Sequence, residues 1–274
     1  MKAGTTWLYS LLERHPDINF TPEKEIHFLA HHYVDKKYLT DRHRLHRAKT
    51  RLSRISHLRP ARQQLIHSWY HNYYLKGNPS LTWYKNLFTK NDRQSRWNAD
   101  FSNLSSLLPT EAWARISSEL NTQVKTIYIL REPCERLWSQ YKFSENQQNS
   151  LSTSELKQHI KKFLNNSSTR RHSEYCRNYD SVYKGLGEQN IKIIMFDEIH
   201  AQPENLLASI EQFLEIAHKD HTGHDNLYRP INTTQPSPPP EIFRNLCAPI
   251  VEHELNGLKA RGIVVPKRWM NTSI

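Results

Sequence analysis

Val124-Lys125-Thr126-Ile127-Tyr128-Ile129-Leu130 is a run of β-branched, aromatic and aliphatic residues of strand length, and Arg131-Glu132-Pro133-Cys134-Glu135-Arg136-Leu137-Trp138-Ser139 follows it directly. Near-continuous apolarity predicts a strand buried on both faces, as in a parallel sheet. Pro133 suits the first turn of a helix after that strand. Ligands of α/β proteins bind at the carboxyl ends of parallel strands, so Arg131 is a candidate anion ligand and Ser139 lies within the helix that follows. Downstream, Ile191 to Phe196 is a second strand of the same kind. It leads into Pro203 to Ile216, where Leu206, Leu207, Ile210, Phe213 and Leu214 form a helical stripe. Strand followed by helix, twice, predicts an α/β fold.

Working outward, a helix from about Pro109 to Leu120 precedes the first strand. The chain opens with a loop, Met1 to Gly4, and a helix from Thr5 to His15 carried by Leu8, Leu11 and Leu12 and stopped by Pro16. Ile26 to Tyr33 reads as a short amphipathic segment. From Lys36 to about His71 the pattern is helical with a break near Pro60. Trp69, Tyr70, Tyr73, Tyr74, Trp83, Tyr84 and Phe88 then surround a Gly77-Asn78-Pro79 turn. Gln235 to Pro240 is a rigid proline-rich connector, and Glu241 to Arg261 a helical tail interrupted at Pro249.

Composition narrows the function classes. The chain has 274 residues, 37% hydrophobic and 11% aromatic, enough for a buried core and unlike a disordered chain. Mean hydropathy is −0.78, and no apolar run approaches the roughly 20 residues a membrane helix needs. Neither a transmembrane helix nor a signal peptide is expected. Cys134, Cys176 and Cys247 cannot all pair and lack CxxC spacing, which points to a reducing, cytoplasmic setting. The net charge is +11, but the segment from Lys36 to Ser68 holds ten Lys/Arg against one acid, Asp41. A nearly neutral frame therefore carries one very basic insert.

Three constellations carry chemistry. Lys2-Ala3-Gly4-Thr5-Thr6-Trp7 places a lysine, a glycine and two hydroxyls at a helix start, where free amides and the positive dipole end suit a phosphate. It is not a Walker A loop, since the lysine precedes the glycine. Arg131-x-Pro-x-x-Arg136-x-x-Ser139 is the second. The third is Glu23-Lys24-Glu25-Ile26-His27-Phe28, where Glu25 or His27 could act as a general base.

Together, in this order and spacing, these motifs resemble the sulfotransferase superfamily, in particular the heparan-type carbohydrate sulfotransferases and their bacterial relatives. Ile191 to Asp197-Glu198, then Pro203 and a helix ending Phe213-Leu214-Glu215-Ile216, look like that family's late strand and helix. The resemblance covers residues 2–32 and 120–216. It implies a P-loop NTPase-like three-layer α/β fold in one domain, with helices on both sides of a central parallel sheet. It also implies 3′-phosphoadenosine 5′-phosphosulfate (PAPS) as donor, 3′,5′-ADP as product and no catalytic metal. By matching position, Lys2, Ala3, Gly4, Thr5, Thr6 and Trp7 would grip the 5′-phosphosulfate, and Arg131 and Ser139 the 3′-phosphate. Glu25 would take the acceptor's proton with His27 in reserve, and Lys2 would stabilise the leaving phosphate oxygen.

The chain departs from the pattern in three places. Family members carry a buried strand before the lysine loop, whereas only Met1 precedes Lys2, so the first strand is expected to be missing. The late Lys-Gly-Arg loop has no clear counterpart, and Arg229 is its substitute. A Ser-Pro-x-Tyr-type segment is only loosely echoed by Asp100-Phe101-Ser102-Asn103. The basic and aromatic insert, residues 36–88, falls where the family recognises acceptors: its charges suit a glycan or another hydroxyl-bearing acceptor, anionic ones included, and Trp69, Trp83 or Tyr84 could stack on sugar rings. Two other readings are a nucleic-acid-binding protein using residues 36–68 and a small-molecule kinase, which lacks here the Walker order and an evident magnesium carboxylate.

Overall fold

A computed structural model describes residues 3–88, 95–144, 152–229 and 237–270. The chain divides into two compact units, one formed by Met1–Leu11, Lys125–Tyr183 and Gly187–Ile274, the other by Leu12–Val124 and Lys184–Leu186. In chain order the first elements are α1 (Thr5–Leu12), β1 (Ile18–Phe20), α2 (Phe28–Tyr33), α3 (Asp41–Leu52), α4 (Pro60–Trp69), α5 (Leu81–Asn86), β2 (Trp97–Ala99) and α6 (Thr110–Leu120). They are followed by β3 (Thr126–Leu130), α7 (Pro133–Ser144), α8 (Thr153–Asn165), α9 (Ser167–Ser173), α10 (Tyr175–Leu186) and β4 (Ile191–Met195). The chain then runs through α11 (Glu198–Ala201), α12 (Pro203–Leu214), α13 (Glu241–Ala260) and α14 (Lys267–Met270).

In the first unit, the two strands expected from the sequence pair with each other in parallel, from Thr126 opposite Ile191 to Leu130 opposite Met195. Full burial is confined to their last two residues, Ile129-Leu130 and Ile194-Met195, while the first three positions of each are half-buried. The apolar carboxyl ends are thus the part sealed in the core. Glu132, fully buried, starts α7: its carboxylate accepts the N–H groups of Cys134 (3.0 Å) and Glu135 (2.6 Å) ahead of the helical ladder.

α13 is one 20-residue helix with Pro249 inside it, where the sequence predicted an interruption. Its face of Phe243, Cys247, Val251, Leu255 and Leu258 packs into a core with Leu137, Tyr141, Tyr175 and Trp269. A proline costs a helix roughly 3 kcal/mol, whereas each buried large side chain contributes about 1.5–3 kcal/mol, so tertiary packing outweighs the break. Of the connector before it, Gln235 and Pro236 lie outside the described residues.

In the second unit β1 pairs in parallel with β2, Ile18 opposite Trp97. These three-residue strands carry too little periodicity to be read from sequence. Pro60 opens α4 at its first turn, and the break in the basic stretch lies upstream of it. Trp69, Tyr70, Tyr74, Trp83 and Tyr84 are buried around Phe28, with Phe28 and Tyr84 stacked at 4.7 Å and Trp69 and Tyr74 at 5.1 Å between ring centroids.

Candidate functional site

In the first unit, Ala3 is buried and Gly4 has φ +84°, a conformation that favours glycine. Space excludes a side chain as well, since a Cβ on Gly4 would lie 2.5 Å from Ile199 Cδ1 and 3.1 Å from the Phe196 ring. The Gly4 carbonyl accepts the Leu8 N–H at 3.2 Å, so the amides of Thr5, Thr6 and Trp7 stand ahead of the α1 ladder, the geometry that binds anions. Trp7 is buried and donates its indole N–H to the Leu227 carbonyl at 3.1 Å, which anchors the loop. Lys2 lies outside the described residues.

Arg131 comes to the same place from the end of β3. Its guanidinium sits 4.7 Å from the centroid of Phe196, the ring that also closes over Gly4, and its Nε is 3.4 Å from Glu135 Oε2. The Tyr175 hydroxyl donates to the Arg131 carbonyl at 2.9 Å and holds the turn. Two of the three motifs therefore converge on Phe196. Ser139 is buried on α7, and Lys142 stands one turn further along the same face. The Lys142 ammonium reaches Ser237 Oγ at 3.1 Å; burial, then the nearby Arg131 charge, lowers its pKa. Sequence reasoning passed over Phe196 and Lys142. The first ends a parallel strand and the second is three residues from Ser139, signals that were available.

Other motif residues serve the fold. Arg136 turns inward and donates to Gln140 Oε1 (2.9 Å) and Ser173 Oγ. Asp197 accepts from Arg268 and from the Trp269 indole (3.1 Å), and Glu198 accepts the Met195 N–H (2.6 Å). Arg229 is exposed, two residues past the Leu227 carbonyl that anchors Trp7. Its segment is tied to α12 by the buried Glu211 carboxylate, which holds His218 and His221 at 2.7 Å each.

In the second unit, Glu25 and His27 both have left-handed backbones, φ 58° and 61°, a strain that non-glycine residues keep only when their surroundings impose it. Here the surroundings are the 100–103 segment and Arg47. Glu25 N–H donates to the Phe101 carbonyl (3.0 Å), His27 N–H to Ser102 Oγ (3.0 Å), and Asn103 N–H to Glu25 Oε2 (2.9 Å). Ser102 in turn donates to Asp100, a carboxyl also bonded by the Tyr84 hydroxyl at 2.8 Å. The Arg47 guanidinium clamps the carbonyls of Lys24 and Glu25. The loose sequence echo at Asp100 to Asn103 is thus the cradle of the candidate base.

His27 Nδ1 is 3.7 Å from Glu25 Oε2. Burial raises the Glu25 carboxyl above its ordinary range, opposed by the Asn103 N–H and Lys24. Burial, helped by Arg47, lowers His27 to about 4, which leaves the imidazole neutral. His27 also forms part of the wall of a cavity of about 480 Å³ lined by Lys37, Tyr38, His43, Arg47 and Tyr74, within the size range of small-ligand sites.

The basic insert is corrected in two respects. Trp69, Trp83 and Tyr84 are core residues, 0%, 6% and 6% exposed, and are unavailable to stack on sugars. Several of its cations are also spent inside the unit: Arg44, 2% exposed, bonds the Tyr74 and Gly77 carbonyls, while Arg51 pairs with Glu23 at 2.7 Å and Arg62 reaches the Pro22 carbonyl. Arg42, Lys49, Arg54 and Arg59 remain exposed.

Among the described residues no helix is long and apolar enough to cross a membrane. No curated protein sequence matches the chain. A crystal structure of a sulfotransferase from Alicyclobacillus acidocaldarius superposes with a TM-score of 0.62 and 17% sequence identity over 98% of this chain and 95% of that one; this likeness shows the fold, the P-loop-like α/β architecture. The model of the sulfotransferase domain family matches residues 1–229. With its glycine loop and strand-end arginine meeting on one ring, and that match spanning most of its length, the chain belongs to the sulfotransferase domain family.

Proposed function

We propose that the protein transfers a sulfuryl group from PAPS to a hydroxyl or amine of a carbohydrate acceptor. The observation that carries this reading is the convergence of Gly4 and Arg131 on Phe196, which brings a cation to the N-terminus of α1, where the amides ahead of the helical ladder suit a phosphosulfate. The residues present fit the donor chemically: the amides of Thr5 to Trp7 and Lys2 for the 5′-phosphosulfate, and Arg131, Ser139 and Lys142 for the 3′-phosphate, with Arg229 as a covering cation. The donor supplies an activated sulfur whose bond to the phosphate oxygen breaks as the acceptor oxygen or nitrogen bonds to sulfur.

Glu25 takes the acceptor's proton. Burial raises its carboxyl and so makes it a stronger base than an exposed carboxylate, and the neutral His27, on the cavity wall, is the second candidate, a weaker base because burial lowers it to about 4. The cavity beside His27 receives the acceptor, and the exposed Arg42, Lys49, Arg54 and Arg59 attract anionic ones.

A thermal-shift comparison tests the donor assignment. Stabilisation by 3′,5′-ADP without magnesium is expected. Stabilisation by Mg-ATP alone would establish a kinase, and by oligonucleotides alone a nucleic-acid-binding protein. Transfer of labelled sulfate from PAPS to polysaccharide acceptors then tests the reaction.

A further inference from the structure

Two of the three cysteines meet. Cys134 lies in the first turn of α7 and Cys247 in the middle of α13, 113 residues apart in sequence, yet their Sγ atoms are 3.0 Å apart. They are 5% and 0% exposed, and Leu137, Phe243 and Val251 belong to the same core. Cys176, also buried, contacts the Glu254 carbonyl through its Sγ at 3.5 Å and has its backbone N–H bonded to the Glu254 carboxylate. No function assigned above uses any of these thiols, and the sequence pattern, which lacks CxxC spacing, gave no sign that two of them adjoin.

We infer that Cys134 and Cys247 are an internal covalent modification site, a thiol pair that joins as a disulfide when the protein meets an oxidised low-molecular-weight disulfide. One cysteine attacks that reagent as its thiolate and releases one reagent thiol, which leaves a mixed disulfide on the protein. The other cysteine then attacks the mixed disulfide, and the second reagent thiol leaves. The two protons lost from the cysteine S–H bonds end on the two departing reagent sulfurs, the Sγ–Sγ bond forms, and the reagent accepts the two electrons. Both sulfurs already lie in contact, so the second step needs little movement. The first step is slow: the Cys247 thiol, then burial, hold Cys134 protonated, and a reagent reaches the pair only when α13 opens locally. The bond ties α13 to α7, the helix that begins two residues after Arg131 and carries Ser139. By closing a long loop it restricts the unfolded chain.

The test uses the full chain incubated with excess oxidised glutathione, quenched with iodoacetamide and digested without reductant. Mass spectrometry is expected to find the Cys134 and Cys247 peptides linked and Cys176 alkylated. The melting temperature should rise by roughly 10 °C and return on adding dithiothreitol. The rise should be absent in Cys134→Ser and in Cys247→Ala, two variants of different polarity that guard against one failing to fold. A link through Cys176, stable glutathione adducts on Cys134 or Cys247 without a link, or complete alkylation of all three thiols after prolonged oxidation would overturn the inference.

Discussion

The donor loop and the basic insert are both places where positive charge gathers near aromatic rings, yet they use it in opposite ways. At Arg131 the guanidinium lies on Phe196, at the end of a parallel strand, the place where α/β proteins bind ligands. In the insert, Arg44 and Arg47 spend their N–H groups on backbone carbonyls, and the aromatics around them form the core. A run of cations in a sequence therefore does not by itself announce a partner: where each guanidinium ends up in the fold decides its use.

The comparison breaks most visibly at Glu25. Glu25→Gln keeps an acceptor for the Asn103 N–H but removes the base, and turnover should fall by about 10²–10⁴-fold while stabilisation by 3′,5′-ADP persists. Unchanged turnover would move the role to His27, which His27→Ala would then test. Next comes Arg44→Ala, which strands the Tyr74 and Gly77 carbonyls and should lower unfolding stability by about 1–3 kcal/mol for each buried acceptor left unsatisfied in urea titrations. Arg54→Ala, at an exposed position of the same insert, should change it by less than about 0.5 kcal/mol. Equal effects would erase the distinction between structural and available cations. Arg131→Ala should weaken 3′,5′-ADP binding by roughly 1.5–3 kcal/mol, the range for a charged hydrogen bond, with little change in melting temperature.

The smallest effect is a pH dependence. Because burial raises the Glu25 carboxyl, its contribution to stability is fully present below the unfolded-state value and is lost as pH rises through the folded one. At neutral pH the ionised group is therefore a cost, and Glu25→Gln should melt slightly above the wild type there. That gap should close as pH falls below about 4, where a carboxyl becomes protonated in either state. A gap that stayed constant across this range would remove the titration from the account.

What was legible followed from patterns that local chemistry enforces. The β3 and β4 runs are continuous apolar stretches of strand length, so local pattern located them, whereas the Gly4 loop and Arg131 stood out only through the combined resemblance of the three motifs, since each alone reads equally as a helix cap or a surface arginine. The short β1 and β2 are held by pairing and burial between residues distant in sequence, and α13 keeps its course past Pro249 because of the core under Phe243 and Leu258. The inward turn of Arg44 and Arg47 was invisible for the same reason: it depends on where the Tyr74, Lys24 and Glu25 carbonyls end up. The grip of Asp100 to Asn103 on Glu25 likewise arises from a sequence separation of 78 residues at the Asn103 bond.

Phe196 has one more consequence. Because a single ring both packs against Gly4 and carries the Arg131 guanidinium, the two motifs are not independent elements. Shifting the ring disturbs both contacts at once, so the energies of changes at the two motifs should be non-additive in a double-mutant cycle. The Gly4 loop and the end of β3 then behave as one cooperative unit.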